Sequence, residues 1–246
     1  MFSELFNFIF IIFLVIIQSI AGVGVLVLGT PTLLLLNVPM IEIMNYLLPI
    51  SIITSLLNLM IIRSSNSFTY DYRRLIFFFL ICIPFIFIGL IFLKYFYKYI
   101  NFDYLVSIII LFTLFLRQRI AKSLEKLSIK INIIFLMIVG FIHGLTNSGG
   151  SLLSIFLAII NKSKNKSRNE ITLYYFLLAL MQFILLYFIF DLNKKFSNFY
   201  LEFFCICVGI FLGNIFVRFT SESQFRKLIF ILGFLSSVSL ILKNIF

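Results

Sequence analysis

Two apolar runs in this chain are the wrong length for a simple membrane crossing. Leu5 to Leu36 covers 32 residues and Ile131 to Ile160 covers 30. A spanning helix needs about 20 apolar residues to cross a core of about 30 Å. As straight helices the two runs would be about 48 and 45 Å long, too long for one crossing and too short for two. Each is broken near its middle by glycine, at Gly22 and Gly24 in QSIAGVG (18–24) and at Gly149 and Gly150 in GLTNSGG (144–150). The second break also carries His143, Thr146, Asn147, Ser148 and Ser151 into a membrane-grade segment.

Six other segments fit or nearly fit a crossing: 43–62, 75–93, 102–116, 171–190, 199–217 and 226–242. The chain is therefore expected to be an all-α polytopic membrane protein with about eight hydrophobic segments. Composition agrees, with 62% of residues hydrophobic and 12% charged, against about half and a quarter in soluble domains. Stretches between apolar segments do not exceed about 14 residues, which leaves no room there for a soluble catalytic or nucleic-acid-binding domain. The net charge of +11 then reads as cationic loops that set orientation, with no nucleic acid as partner. The first residues carry Glu4 and lack the positive start of a signal peptide, so they are expected to be retained. Cys82, Cys205 and Cys207 all fall in apolar segments and read as small packing residues.

Lys and Arg placement decides how the second long run passes the membrane, because cytoplasmic loops collect these residues. If 131–160 crossed once, the flanking basic loops would lie on opposite sides and the totals would be 11 and 9. If it enters and returns, one face holds 15 and the other 5. The hairpin is favoured, with loops 63–74, 117–130, 161–170 and 218–227 cytoplasmic. Charge is silent on the first run, since neither the N-terminus nor 37–43 contains Lys or Arg.

Internal similarity speaks for the first run. The chain matches itself at offsets of 123 to 126 residues: QSIAGVG lies over GLTNSGG at 126, and PFIFIGLIFLKYF (84–96) over VGIFLGNIFVRFT (208–220) at 124. The expected organisation is one membrane transport domain of two repeats, 1–120 and 121–246. Each is a broken or re-entrant helical hairpin followed by three transmembrane helices. Three crossings is an odd number, so the second repeat is inverted relative to the first. Inverted repeats with broken helices near the midplane are the mark of secondary transporters.

QSIAGVGVLVLGTPTLLLL (18–36) and GFIHGLTNSGGSLLSIFLA (140–158) resemble the paired motifs of the sulfite exporter TauE/SafE family. The resemblance spans essentially the whole chain, including the glycine-containing third helix of each half. It implies a permease of the bacterial inner membrane that exports or exchanges sulfite, an organosulfonate or a related small sulfur anion. The chain departs from the family pattern by a single Gly-x-Gly in the first motif, where a glycine triplet is common. In the second motif Ser151 stands where proline often follows the glycine pair.

An oxyanion in lipid loses its hydration, so its site must offer donors. A half-helix starting after Gly150 offers free backbone N–H groups and a partial positive charge. Ser148 and Ser151 can cap it or donate, Asn147 and Thr146 add polar groups, and Gly149 and Gly150 let a ligand approach the backbone. In the first half Gly22, Gly24, Thr30 and Pro31 are the counterparts, with Thr30-Pro31 read as an N-cap followed by proline at the first helical position. Close helix packing is the competing reading for the small residues. Thr54 and Asn58 share a helix face and, with Gln18 and Gln182, either line a pathway or bond neighbouring helices. His143, the single histidine, can carry a coupling proton, although a satisfied hairpin residue is the plainer reading. Deep carboxylates are lacking, which disfavours a carboxylate proton relay. The reading is of a carrier, not an enzyme, calling for no cofactor or metal. Its partners are a small anion and the bilayer, and self-association into a homo-oligomer is left open. A carrier for another small anion, or an anion channel of the same architecture, is the alternative.

Overall fold

The computed structural model describes residues 4–64, 72–119, 129–160, 164–190, 199–219 and 221–244. Among them the regular structure is helical: α1 (Glu4–Ala21), α2 (Val25–Leu35), α3 (Met40–Ser64), α4 (Tyr72–Phe96), α5 (Phe102–Arg119), α6 (Ile129–Thr146), α7 (Gly149–Ile160), α8 (Lys164–Phe190), α9 (Phe199–Phe219) and α10 (Glu222–Lys243). A short 3-10 turn, Tyr97–Tyr99, links α4 to α5. Among the described residues, five helical stretches are long and apolar enough to cross a membrane: Glu4–Ala21, Met40–Arg63, Tyr72–Tyr99, Lys166–Phe190 and Tyr200–Phe219. The chain is an all-helical membrane protein. Of the four basic loops, residues 65–71, 120–128, 161–163 and 220 lie outside the described residues.

Both long runs break where the glycine signals fall, and both reverse. Gly22 takes a left-handed φ of 78°, and its N–H donates to Gln18 O at 2.7 Å. Asn147 takes φ 62°, and its N–H donates to His143 O at 3.0 Å. Glycine reaches this region freely and asparagine is the side-chain-bearing residue that tolerates it best, so one turn is built from two sequences. Each second helix then folds back. A Cβ on Gly29 would meet Leu14 Cδ1 at 3.0 Å, and one on Gly149 would overlap Val139 O.

The two left-handed residues at the breaks lie 125 positions apart in the chain. Gln18 and His143 each stand one turn before the reversal and accept from its amide. One correction concerns Thr30 and Pro31. The half-helix starts at Val25 with Gly24 as its N-cap, and Pro31 lies inside it. The amides at that helix start are bonded by side chains from elsewhere in the fold, so a local Thr-Pro cap is not needed.

Helix pairing has the pattern that interchange of the halves would generate. α1 packs on α9 and α4 on α6, while α3 pairs with α8 and α5 with α10. The two closest crossings use matched positions. A Cβ on Gly89 would overlap Phe141 O and approach Gly144; one on Gly213 would lie 2.6 Å from Ser19 Cβ and 3.0 Å from Ile16 O. One turn and more along, the small residue changes helix. Gly140 of α6 faces Phe85 of α4, whereas Gly209 of α9 faces Val15 of α1. Small residues at such crossings let backbones approach where no hydrophobic force drives helices together.

Cations near the helix ends follow the dipoles. Lys94 Nζ donates to Ile189 O at the end of α8, at 2.7 Å. Lys243 Nζ donates to Leu34 O at the end of α2, at 2.6 Å, and pairs with Asp103 at 3.0 Å. C-terminal carbonyls left free by a helix are the natural place for a cation. An open depression of about 500 Å³ lies beside Lys243, bordered by Asn37, Tyr97, Lys98 and Asp103.

Candidate functional site

The starts of α2 and α7 converge on one side chain of α8, Tyr175. Its hydroxyl accepts from Leu26 N at 3.0 Å, in the first turn of α2. Its ring lies against Gly150 so closely that any Cβ there would overlap it. Tyr175 has no exposed surface. A buried phenol needs a partner for its hydroxyl, and the unpaired amides of a helix start provide it.

The two starts differ in what remains free. In α2, Val25 N is taken by Gln18 Oε1 at 3.0 Å and Leu26 N by Tyr175. Gln18 is itself held through Nε2, which donates to Ser51 O at 3.0 Å and Ser55 Oγ at 2.9 Å. In α7, Ser151 N turns back to Ser148 O at 3.1 Å, but among the described residues Gly149 N and Gly150 N meet no acceptor. The serines do not cap them. Ser148 Oγ donates to Thr146 O at 3.2 Å and Ser151 Oγ to Ser148 O at 2.6 Å. Ser151 Oγ also lies 3.5 Å from Thr113 Oγ1 of α5.

The breaks also touch directly. Asn147 Nδ2 donates to Thr30 Oγ1 at 3.3 Å, joining the second reversal to the middle of α2. Thr30, Thr146, Asn147 and Ser148 are fully buried, and Ser151 is 7% exposed. Gly22 lies apart from this group, packed on Arg168 O and Thr172 at the start of α8. Gly24 packs on the backbone of Gln18.

The pathway candidates divide. Gln18 braces α2, and Asn58 donates to Ser19 Oγ at 3.0 Å and to Thr54 O at 2.9 Å; both bond neighbouring structure. Gln182 Nε2 donates to His143 O at 2.9 Å, yet Gln182 Oε1, Asn147 Oδ1, Thr54 Oγ1 and both ring nitrogens of His143 are buried and without a hydrogen-bond partner among the described residues.

Sequence reading missed Tyr175, Ser51 and Thr113. For Tyr175 the only signal was two adjacent tyrosines within an apolar run. The choice between them is tertiary, since the neighbouring Tyr174 ring stacks edge-on to Phe78 at 4.6 Å.

Two broken hairpins, packed so that their half-helix starts face each other inside a helical membrane bundle, define a protein of the membrane-transporter class. The Sulfite exporter TauE/SafE family matches residues 7–240, and the chain belongs to that family. No curated protein and no solved structure matches it.

Proposed function

We propose that the protein is a secondary carrier exporting or exchanging a small sulfur-containing anion, such as sulfite or an organosulfonate, across the inner membrane of a bacterium. The observation that carries this reading is the convergence of the α2 and α7 starts on Tyr175, with Gly149 N and Gly150 N left as donors. A helix start combines unpaired N–H groups with a partial positive charge, which suits an oxyanion without a full counter-charge. Thr146, Asn147, Ser148 and Ser151 surround those amides, and Thr30 reaches them through Asn147.

The two halves are taken as inverted repeats that rock around this site. The matched crossings of α1 with α9 and α4 with α6 support that arrangement. Full burial of Thr30, Asn147 and Ser148 favours a carrier, which opens its site alternately, over a permanently open pore. The four basic loops are assigned to the cytoplasm by the excess of Lys and Arg.

Flux of sulfite into liposomes containing the purified protein tests this reading. It should saturate with concentration and be competed by sulfonates. Thr30→Val and Ser148→Ala each remove one polar contact and should lower transport efficiency by roughly tenfold or more, as for a lost hydrogen bond to a charged group. Ohmic conductance would point to a channel. Undiminished flux in both variants would remove the reversals from the mechanism.

A further inference from the structure

Among the described residues the Arg168 guanidinium has no carboxylate partner, and it is bonded instead by a network of neutral groups. The residue lies five positions into α8, seven before Tyr175, which is about 10 Å along the helix axis. Its Nε donates to Ser19 O at 2.8 Å and its Nη2 to Asn214 Oδ1 at 2.9 Å. Asn214 Nδ2 donates onward to Asn58 Oδ1 at 3.0 Å, and Asn58 Nδ2 returns to Ser19 Oγ at 3.0 Å. The circuit closes across α1, α3, α8 and α9 and so joins both halves of the chain. Every partner in it is neutral. Lys243, by contrast, has Asp103 at 3.0 Å.

A guanidinium has five N–H donors, and two are used here. A partly buried cation bonded only to a carbonyl and an amide lacks the partner that normally accompanies buried charge. The adjacent reversal at Gly22 packs against the carbonyl of this same residue. Arg168 is only partly buried. We infer that Arg168 is an anion ligand at the α1 end of the pathway, and that an oxyanion bound there competes with Ser19 and Asn214 for the guanidinium, loosening the clasp between the halves. This rests on the carrier reading and adds to it a cationic first contact, where sequence reasoning sought neutral donors alone. Arginine suits the task because its planar fork matches an oxyanion with two parallel donors.

The alternative role is purely structural, a cation on the C-terminal carbonyls of α1. Asn214→Asp separates the two. It puts a carboxylate beside Arg168 in the same space, at the loss of the amide's bonds to Ile210 O at 2.9 Å and Asn58 Oδ1 at 3.0 Å. A structural Arg168 would be held better by that carboxylate, with anion response unchanged. An anion-binding Arg168 would be occupied by it.

The experiment follows thermal unfolding of the detergent-purified full chain with increasing sulfite or thiosulfate. The unsubstituted protein should be stabilised in a saturable way. In folded Asn214→Asp the half-saturating concentration should rise at least about tenfold, the effect of one charge-assisted contact. Arg168→Gln, which keeps an amide donor for Ser19, should show the same loss and serves if Asn214→Asp fails to fold. Unchanged half-saturation in either folded variant, or no stabilisation of the unsubstituted protein by either anion, would overturn the assignment. Anion stabilisation lost in the variants but unaccompanied by any flux in liposomes would leave the Arg168 site standing and remove the carrier reading instead.

Discussion

Tyr175 is the residue on which most of the central geometry depends. Its hydroxyl satisfies an amide of α2 and its ring closes over Gly150 of α7. Tyr175→Phe keeps the ring and removes the partner of Leu26 N. A buried donor left unpaired costs about 1–3 kcal/mol, so the purified variant should unfold several degrees lower while still inserting into membranes. An unchanged unfolding temperature would mean that Leu26 N does not depend on the phenol. Sequence alone marked the glycines and Asn147 correctly as a reversal, because left-handed backbone and apolar length are local properties. It could not find Tyr175, whose significance lies in two helix starts distant in the chain.

At the level of elements, the α1/α9 and α4/α6 crossings both pack on glycine, with one of the small residues on opposite partners. Gly209 faces Val15 in the first, and Phe85 faces Gly140 in the second. Gly209→Phe alone should fail to yield folded protein, since a Cβ at Gly209 already lies 2.7 Å from Val15 Cγ1 and overpacking of this kind costs about 1–3 kcal/mol or more. Adding Val15→Gly copies the other crossing and should restore monodisperse protein, at the cost of about 1 kcal/mol for glycine within a helix. Failure of the pair, with Val15→Gly tolerated singly, would show that the crossings are not interchangeable. The Thr30-Pro31 dipeptide taught a different lesson. It has the local form of a helix start, yet the helix begins at Val25, where Gln18 and Tyr175 supply the acceptors that a cap would have given.

Across the whole molecule, the distribution of Lys and Arg makes a claim about sides that can be measured. In a background lacking reactive cysteines, Lys166→Cys and Ser223→Cys should label from one compartment with an impermeant maleimide, and Asn101→Cys and Asn244→Cys from the other. Labelling of Lys166→Cys and Asn101→Cys from the same side would break the proposed arrangement of the halves. Asn101 and Asn244 are bonded to each other at 3.0 Å, so the two should report together whichever side they occupy.

What the sequence determined by itself was the class of structure and where it breaks: apolar length demands helices in lipid, and excess length interrupted by glycine demands reversal. Those are properties of single segments in contact with solvent or bilayer. What only the tertiary structure decided was which polar groups meet. Gln18 reaches Ser51 and Ser55 on α3, Asn147 reaches Thr30, and Arg168 reaches Ser19 and Asn214. In an apolar medium a polar group must find a partner wherever the fold supplies one, so its bonds are set by helix packing and cannot be read from its neighbours in the chain.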